Sequence, residues 1–196
     1  AAGLSPILGF EDRLRPDFAA LRSHCTAGEH FYVEGWRGDI PEGWRLDAEQ
    51  TMNQMVWDAA LPPPAALPEA MLLTAGHAQA ALELATLTRP GPFGPRTTEL
   101  GDYLGWFDGP RLVAMAGERM RPPGYVELSA IATHPEARGR GLAGCLTLCL
   151  AKRALNRGET AFLHVRPENK AAVSLYQRLG FEIRRELWVL WRKPIQ

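Results

Sequence analysis

Residues 134–144 combine glycines and arginines in a pattern that could bind a phosphate. They include Arg138, Gly139, Arg140, Gly141 and Gly144. The segment joins a predicted strand to the first turn of a predicted helix, where free backbone N–H groups and the helix dipole favour an anion. Glycines let the backbone approach a phosphate without an intervening Cβ, and the arginines add positive charge. The pattern therefore predicts a pyrophosphate site. The alternative is a turn whose glycines serve only backbone conformation.

The same three glycines also satisfy G-x-G-x-x-G, the dinucleotide-binding pattern. In a Rossmann unit the first glycine closely follows the first strand, and further parallel strands come after it. Here the polar residues 134–137 intervene, the motif follows a predicted antiparallel meander, and little of the chain remains. No Gly-Lys-Ser/Thr follows, so the segment is not a P-loop. A dinucleotide-binding oxidoreductase is therefore the weaker interpretation.

The three cysteines, Cys25, Cys145 and Cys149, do not form a disulfide framework, because their number is odd and their spacing irregular. Cys145 and Cys149 lie four residues apart on a predicted helix, and we interpret them as small buried apolar residues. No histidine cluster stands near them at zinc spacing, so we predict no metal site.

The elements that must position the phosphate loop follow from the hydrophobic pattern. Asp108-Gly109 is a hairpin signal, and it joins two strands of a predicted antiparallel meander. Strand and helix then alternate after the loop, which implies a parallel crossover and hence a mixed sheet. The predicted strands are 31–36, 44–57, 71–73, 100–107, 111–116, 125–133, 160–165 and 183–191. The predicted helices are 16–25, 77–87, 141–156 and 169–179.

A proline-rich run at 61–68 is the clearest shift in composition. Such a run forms a stiff, extended spacer. We therefore predict a small N-terminal segment of uncertain fold over 1–68 and the main domain over 69–196. The first segment either packs as a layer against the main domain or shapes its substrate site.

Two motifs give the chain a family resemblance. Residues 138–143 match Gln/Arg-x-x-Gly-x-Gly/Ala after a strand, and residues 169–181 carry Asn169, then Leu175-Tyr176, then Leu179-Gly180-Phe181. Over about 69–196 the chain thereby resembles the GNAT acetyltransferase superfamily. The resemblance implies an α/β (α+β) fold with a mixed, mostly antiparallel central sheet flanked by helices. This sheet should splay between the strand before the phosphate loop and the next strand.

The resemblance also implies acetyl-CoA as the acyl donor and assigns residues to it. Main-chain groups of Ile131, Ala132 and Thr133 would pair with pantetheine as an added strand does. Asn169 would bond the pantetheine arm. The pyrophosphate would be held by Arg138, Gly139, Arg140, Gly141, Leu142, Ala143 and Gly144.

The resemblance gives Tyr176 and Glu127 catalytic roles. Tyr176 would protonate the leaving thiolate, and its alternative role is a half-buried packing aromatic. Glu127 would accept the proton of the amine, and its alternative is a solvated or ion-paired strand carboxylate. His134 and His164 are lesser candidates for the base. No cysteine nucleophile is implied, because the amine would attack the thioester directly in a ternary complex.

The acceptor is expected to be a small-molecule, peptide or protein amine contacted by loop 88–97. Arg89 and Arg96 are candidates for recognising an acidic acceptor. Lysine plus arginine balance aspartate plus glutamate at 22 each, which excludes wholesale attraction to nucleic acid or membranes. We expect a cytoplasmic enzyme, with a homodimer left open. The competing functions are a non-catalytic acyl-CoA sensor and the oxidoreductase named above.

Overall fold

A computed structural model describes residues 3–12, 15–25, 29–34, 38–39, 41–57 and 70–194. The strands found there are β1 (Ile7–Leu8), β2 (Phe31–Glu34), β3 (Trp44–Trp57), β4 (Met71–Leu72), β5 (Tyr103–Asp108), β6 (Arg111–Glu118), β7 (Tyr125–Thr133), β8 (Thr160–Val165) and β9 (Phe181–Pro194). They form one sheet in the order β1-β2-β9-β3-β8-β7-β6-β5-β4. Only β1–β2 and β7–β8 pair in parallel, so the predicted mixed, mostly antiparallel sheet is confirmed.

Four α-helices accompany this sheet in the described part of the chain: α1 (Phe18–Leu21), α2 (Ala78–Thr88), α3 (Leu142–Asn156) and α4 (Lys170–Arg178). Helix α3 packs in a core with Leu104 of β5, whereas α2 packs in a second core with Tyr103 of the same strand. Neighbouring residues of a strand point to opposite faces. The two helices therefore cover opposite faces of the sheet, which fixes the strands that carry the site.

Strands β7 and β8 pair only at their first residues. Their pairing runs from Tyr125↔Thr160 to Leu128↔Leu163. On its other edge β8 pairs with β3 from Phe162 to Val165. The edge of β7 at residues 129–133 is thereby left facing a cleft, and the predicted splay is confirmed.

A bulge in β7 lies at this same edge. Ser129 pairs with Gly117 and Ala132 with Met115, so two residues of β7 oppose one residue of β6. Ala130, in the bulge, has φ 52° and is buried. A non-glycine residue in the left-handed region is costly and persists only where its surroundings hold it. The bulge lies directly before the residues of β7 that line the cleft.

The N-terminal segment contributes a central strand to the sheet. Strand β3 lies between β8 and β9 and pairs with β9 from Trp44↔Pro194 to Trp57↔Phe181. The Trp57 indole N–H also donates to the Leu179 carbonyl at 2.9 Å. Strands from both sides of the predicted boundary thus share one sheet. The proline-rich run at 61–68 itself lies outside the described residues.

Candidate functional site

A cleft of about 1310 Å³ opens where β7 and β8 separate. Most of the residues assigned to the acyl donor line it: Ile131, Ala132, Thr133, Arg138, Gly139, Gly141, Leu142, Ala143, Gly144, Asn169 and Tyr176. Arg140 and Glu127 are not among its lining residues. The fold therefore brings the two motifs of the sequence, which are separated by α3 and β8, to one site.

The backbone of the phosphate loop is not covered by neighbouring side chains at two of its glycines. Gly139 and Gly141 have φ 78° and 76°, and a Cβ built on either would meet nothing within 4 Å. Helix α3 begins directly afterwards, at Leu142. The left-handed backbone makes glycine the suitable residue at both positions, and the free N–H groups of the helix start face an open surface. This geometry suits a pyrophosphate.

The third glycine of the motif has a different role. A Cβ on Gly144 would lie 3.5 Å from a methyl carbon of Leu175 and 3.6 Å from one of Leu179. Gly144 therefore lets α3 pack against Leu175 of α4 and Leu179 with no side chain of its own between them.

The two loop arginines differ in their surroundings. Arg140 directs its guanidinium towards Asp108, with 3.4 Å between Nη1 and Oδ2, and both side chains are exposed. Arg138 lines the cleft and has no ion pair within the described residues. Arg138 is therefore the loop side chain available to a phosphate, while Arg140 contributes charge from outside the cleft.

Two polar groups of the donor side suit a pantetheine arm. The Thr133 hydroxyl is buried and makes no hydrogen bond with the described residues, which indicates a missing partner at the cleft edge. The Asn169 side-chain oxygen accepts from the Ala172 N–H at 3.2 Å and caps α4. The amide NH₂ of Asn169 has no partner in the described chain, so it can donate to a ligand. The residues present thus fit an acyl-CoA.

Tyr176 lies under the cleft at 7% exposure, with its ring centroid 6.0 Å from that of Phe181. Its hydroxyl makes no hydrogen bond with the part of the chain that is described. Burial raises the pKa of Tyr176 to about 12, whereas a thiol has an ordinary pKa of about 8.5. Complete transfer of the phenol proton to a thiolate is therefore uphill. A hydrogen bond to the developing thiolate suits this phenol better.

Glu127 is fully buried, and it takes the ion-paired form that was its alternative interpretation. Arg119 Nε lies 2.9 Å from Glu127 Oε2, and His164 Nδ1 lies 2.7 Å from Oε1. Burial alone would raise the pKa of Glu127, but the Arg119 charge and these hydrogen bonds lower it to about 2. A carboxylate with this pKa is a weak base, so the geometry disfavours the direct base role predicted for Glu127.

The partners of Glu127 were missed at the level of sequence, although a signal was present. The turn at 121–124 returns the chain so that the Arg119 N–H donates to the Glu127 carbonyl at 3.0 Å. Arg119, the residue directly after β6, thus lies opposite Glu127, where opposite charges pair favourably. Counting residues back from this turn would have placed the two side chains together.

His164 is held between Glu127 and the N-terminal segment, and it lines the cleft. Gln54 Nε2 of β3 lies 3.2 Å from His164 Nε2, and Arg185 Nε of β9 donates to Gln54 Oε1 at 2.9 Å. His134 instead contacts Arg111 and accepts from the Glu136 N–H, outside the cleft lining. Of the two histidines that the sequence offered as lesser candidates for the base, only His164 therefore lines the cleft.

The acceptor side of the cleft is built by both parts of the chain. Ile7, Tyr32 and residues 49–52 line it together with residues 88–92 of the predicted acceptor loop. Arg89 belongs to that lining, whereas Arg96 forms an exposed ion pair with Glu99 at 2.7 Å. Burial raises the pKa of Tyr32, an effect that the charges of Arg166 and Arg119 partly offset. Both guanidinium groups are therefore close enough to Tyr32 to lower the pKa of its hydroxyl.

Outside the cleft, the described residues contain no group of three or more metal-ligating side chains. Burial raises the pKa of the Cys149 thiol, consistent with an apolar packing role. None of the described helices has the length and apolar character that crossing a bilayer requires. The cytoplasmic location and the homodimer stay predictions.

Sequence comparison finds a matching family model and several relatives. A family model described as FR47-like protein matches residues 103–189. Mycothiol acetyltransferase of Mycolicibacterium vanbaalenii is 38% identical over 82 residues, which are 39% of this chain and 27% of that protein. An acetyltransferase of Sodalis glossinidius is 30% identical over 98 residues, covering 50% of this chain and 59% of the other. The chain spans about a quarter of the length of the mycothiol acetyltransferases it matches first.

Comparison of structures extends the similarity to the N-terminal segment. A solved structure described as a GNAT-family acetyltransferase, from Novosphingobium aromaticivorans, aligns with a TM-score of 0.87 and 30% identity over 100% of this chain and 87% of its own. The ribosomal-protein-S18-alanine N-acetyltransferase of Escherichia coli shares the fold, with a TM-score of 0.53 and 23% identity over 65% of this chain and 94% of its own.

Proposed function

Because this chain belongs to the GNAT family of acetyltransferases, we propose that it is an acetyl-CoA-dependent N-acyltransferase acting on an amine by direct transfer. The observation that carries the proposal is the junction of the bare glycine loop with the open edge of β7 in one cleft. A phosphate cradle and an unpaired strand edge together match the two ends of a CoA molecule. The acetyltransferase relatives support the acetyl group as the one transferred.

The donor would be held by backbone and side-chain groups that already lie along the cleft. Backbone N–H groups at Gly139 and Gly141, with the Arg138 guanidinium, would bind the pyrophosphate. The exposed edge of residues 131–133 and the Asn169 amide would bind pantetheine. The bound donor supplies a thioester carbonyl, and the Tyr176 hydroxyl would donate a hydrogen bond to its sulfur as negative charge develops there.

The acceptor amine would enter from the side built by β2, β3 and loop 88–97. The cleft lining carries charges of both signs, among them Arg89, Arg166, Glu49 and Glu168. Its mixed charge supports a polar acceptor and gives no preference for a purely cationic one.

Thermal shift with acetyl-CoA, CoA, NADPH and ATP tests the donor assignment first. A ligand at about 100 times its Kd stabilises by about 2.7 kcal/mol, or several degrees in Tm. We expect shifts with acetyl-CoA and CoA only. Thiol release on adding a panel of amines then tests transfer. A shift with NADPH alone would favour the oxidoreductase, and CoA binding without thiol release from any amine would favour the sensor.

A further inference from the structure

Guanidinium groups outnumber carboxylates along the cleft. The arginines of its lining are Arg89, Arg119, Arg138, Arg166 and Arg178, and the acidic residues are Glu49 and Glu168. Arg138 lies in the phosphate loop, and Arg178 is the last residue of α4. The other three arginines form no ion pair with either glutamate in the part of the chain that is described. They are therefore available to a second, negatively charged ligand.

Arg119 has hydrogen-bond donors left over from its pair with Glu127. A guanidinium carries five N–H groups, and Arg119 uses Nε and Nη2 on the two oxygens of Glu127. Its Nη1 makes no hydrogen bond with the residues that the structure describes. The side chain is 10% exposed and lines the cleft, and donors in buried side chains need partners. A ligand with carboxylate oxygens would supply the partner that Nη1 lacks.

Arg166 lies on the same side of the cleft as this ion pair. It directly follows β8 and comes two residues after His164, and residues two apart in an extended chain point to one face. His164 Nδ1 lies 2.7 Å from Glu127 Oε1, so Arg166 and the pair border one part of the cleft. Glu127 neutralises Arg119, whereas Arg166 is exposed and has no ion pair among the described residues. Arg166 therefore supplies the net positive charge there.

Tyr32 of β2 contributes a third group to this part of the cleft. Burial raises the pKa of Tyr32, and the charges of Arg166 and Arg119 act against that rise, so both guanidinium groups lie near the phenol. A phenol that keeps its proton at neutral pH can donate a hydrogen bond to an anion. Two guanidinium groups and one phenolic O–H together suit the two oxygens of a carboxylate.

We propose that Arg119, Arg166 and Tyr32 bind a carboxylate of the acceptor, so that the substrate is a small amine that also carries a carboxylate; this inference rests on the proposed function. The planar fork of a guanidinium matches the geometry of a carboxylate. Glu49 and Glu168 are exposed, so water and salt screen their repulsion of such a substrate.

A carboxylate on the acyl group of the donor would be the same chemistry from another source. The acceptor is favoured as the source because Tyr32 belongs to the N-terminal segment, which contains none of the residues assigned to the donor. The experiment distinguishes the two sources by changing the acyl group and the amine independently.

Paired amines test the proposal with the full-length protein and acetyl-CoA. Each pair is an α- or ω-amino acid and its amide, and we expect the wild type to prefer the acid. Arg166→Gln should raise KM for the acid about 10- to 100-fold, with kcat and the Kd for CoA within about twofold of wild type. The effect of a variant is compared within one substrate, so differences in amine pKa cancel.

Two further variants complete the test. Arg119→Lys keeps a positive charge beside Glu127 but loses the guanidinium fork, so it should also raise KM for the acid. Neither this variant nor Arg166→Gln should change kcat/KM for the amide by more than about twofold. Arg184→Gln, at an exposed arginine of β9 outside the cleft lining, should match the wild type in every measurement.

The outcomes separate this proposal from the proposed function. A wild type that binds no CoA or acylates no amine refutes the function itself. An active wild type that acylates carboxylate-free amines as readily as the acids overturns the carboxylate site, as does an unchanged KM for the acid in both CoA-binding variants. Succinyl-CoA in place of acetyl-CoA tests the other source. If Arg166→Gln impairs succinyl transfer to amides and leaves acetyl transfer to acids intact, the carboxylate belongs to the acyl group and the acceptor assignment is overturned.

Discussion

At the scale of single residues, the buried ion pair of Glu127 and Arg119 determines what chemistry is available. Two buried charges are stable only while they remain paired with each other. Neither partner can therefore take up or release a proton during turnover without exposing the other as an unpaired charge. Their fixed charge is suited to orienting His164. Glu127 does not line the cleft itself, whereas both of its partners, Arg119 and His164, do.

Replacing Glu127 should change stability in a pH-dependent way. Its folded pKa of about 2 lies below the ordinary 4.5, so the carboxylate stabilises the fold above pH 4.5. That stabilisation is lost as the pH falls towards 2. Glu127→Gln also leaves Arg119 unpaired, and we expect it to cost roughly 3–5 kcal/mol at pH 7. Urea unfolding at pH 7, 5, 4 and 3 measures this difference.

The difference between wild type and Glu127→Gln should shrink at each step below pH 4.5. Glu182→Gln, at an exposed carboxylate on β9, provides the matched control and should lie close to the wild type throughout. A difference for Glu127→Gln that stays constant from pH 7 to pH 3 would contradict the pairing with Arg119.

Tyr176→Phe should separate binding from chemistry. The ring would keep its packing against Phe181, and only the hydroxyl that faces the cleft would be lost. A hydrogen bond to a charged group contributes about 1.5–3 kcal/mol, so we expect kcat to fall about 10- to 100-fold. Affinity for CoA should stay within about twofold of wild type. Steady-state kinetics with calorimetric CoA binding checks this, and an unchanged kcat with chemistry rate-limiting would remove the role.

At the scale of elements, the local parts of the site follow from sequence and the pairings between distant parts do not. The hairpin at Asp108-Gly109, strand β7, helix α3 and the glycine loop were each predicted because their signals are contiguous. The network at His164 joins residues from four strands, and Gln54 is more than a hundred positions from its partner. The alternation of apolar residues identifies strands and leaves their order open. That order decides which polar groups meet.

The glycine loop allows its conformational and binding roles to be separated by a matched pair of variants. Gly139→Ala and Gly158→Ala both place a Cβ at φ above 70° with nothing within 4 Å. Each should cost about 1–2 kcal/mol, or a few degrees in Tm. Only Gly139 borders the cleft, so only Gly139→Ala should weaken CoA binding, by at least tenfold. Equal CoA affinities in the two variants would argue against a phosphate at this loop.

At the scale of the whole molecule, the N-terminal segment is part of the sheet that forms the site. Without β3, β8 and β9 would lose the strand between them, and His164 would lose Gln54. Residues of this segment also line the cleft, and a role for 1–68 in shaping the acceptor site stays a prediction. The core that supports catalysis is therefore assembled from sequence on both sides of the proline-rich run. Neither side alone holds the complete set of strand pairings.

Cutting the chain at the proline-rich run should leave one associated, active molecule. Strand β3 keeps thirteen residue pairings with β9 and four with β8, so cleavage at a protease site inserted within 61–68 removes covalent continuity and leaves the sheet intact. We expect the two fragments to co-elute and to retain CoA binding and transfer. In urea they should separate, and Tm should become concentration-dependent after cleavage. Fragments that part under native conditions, with residues 69–196 still folded and active alone, would show that β3 is dispensable to the sheet.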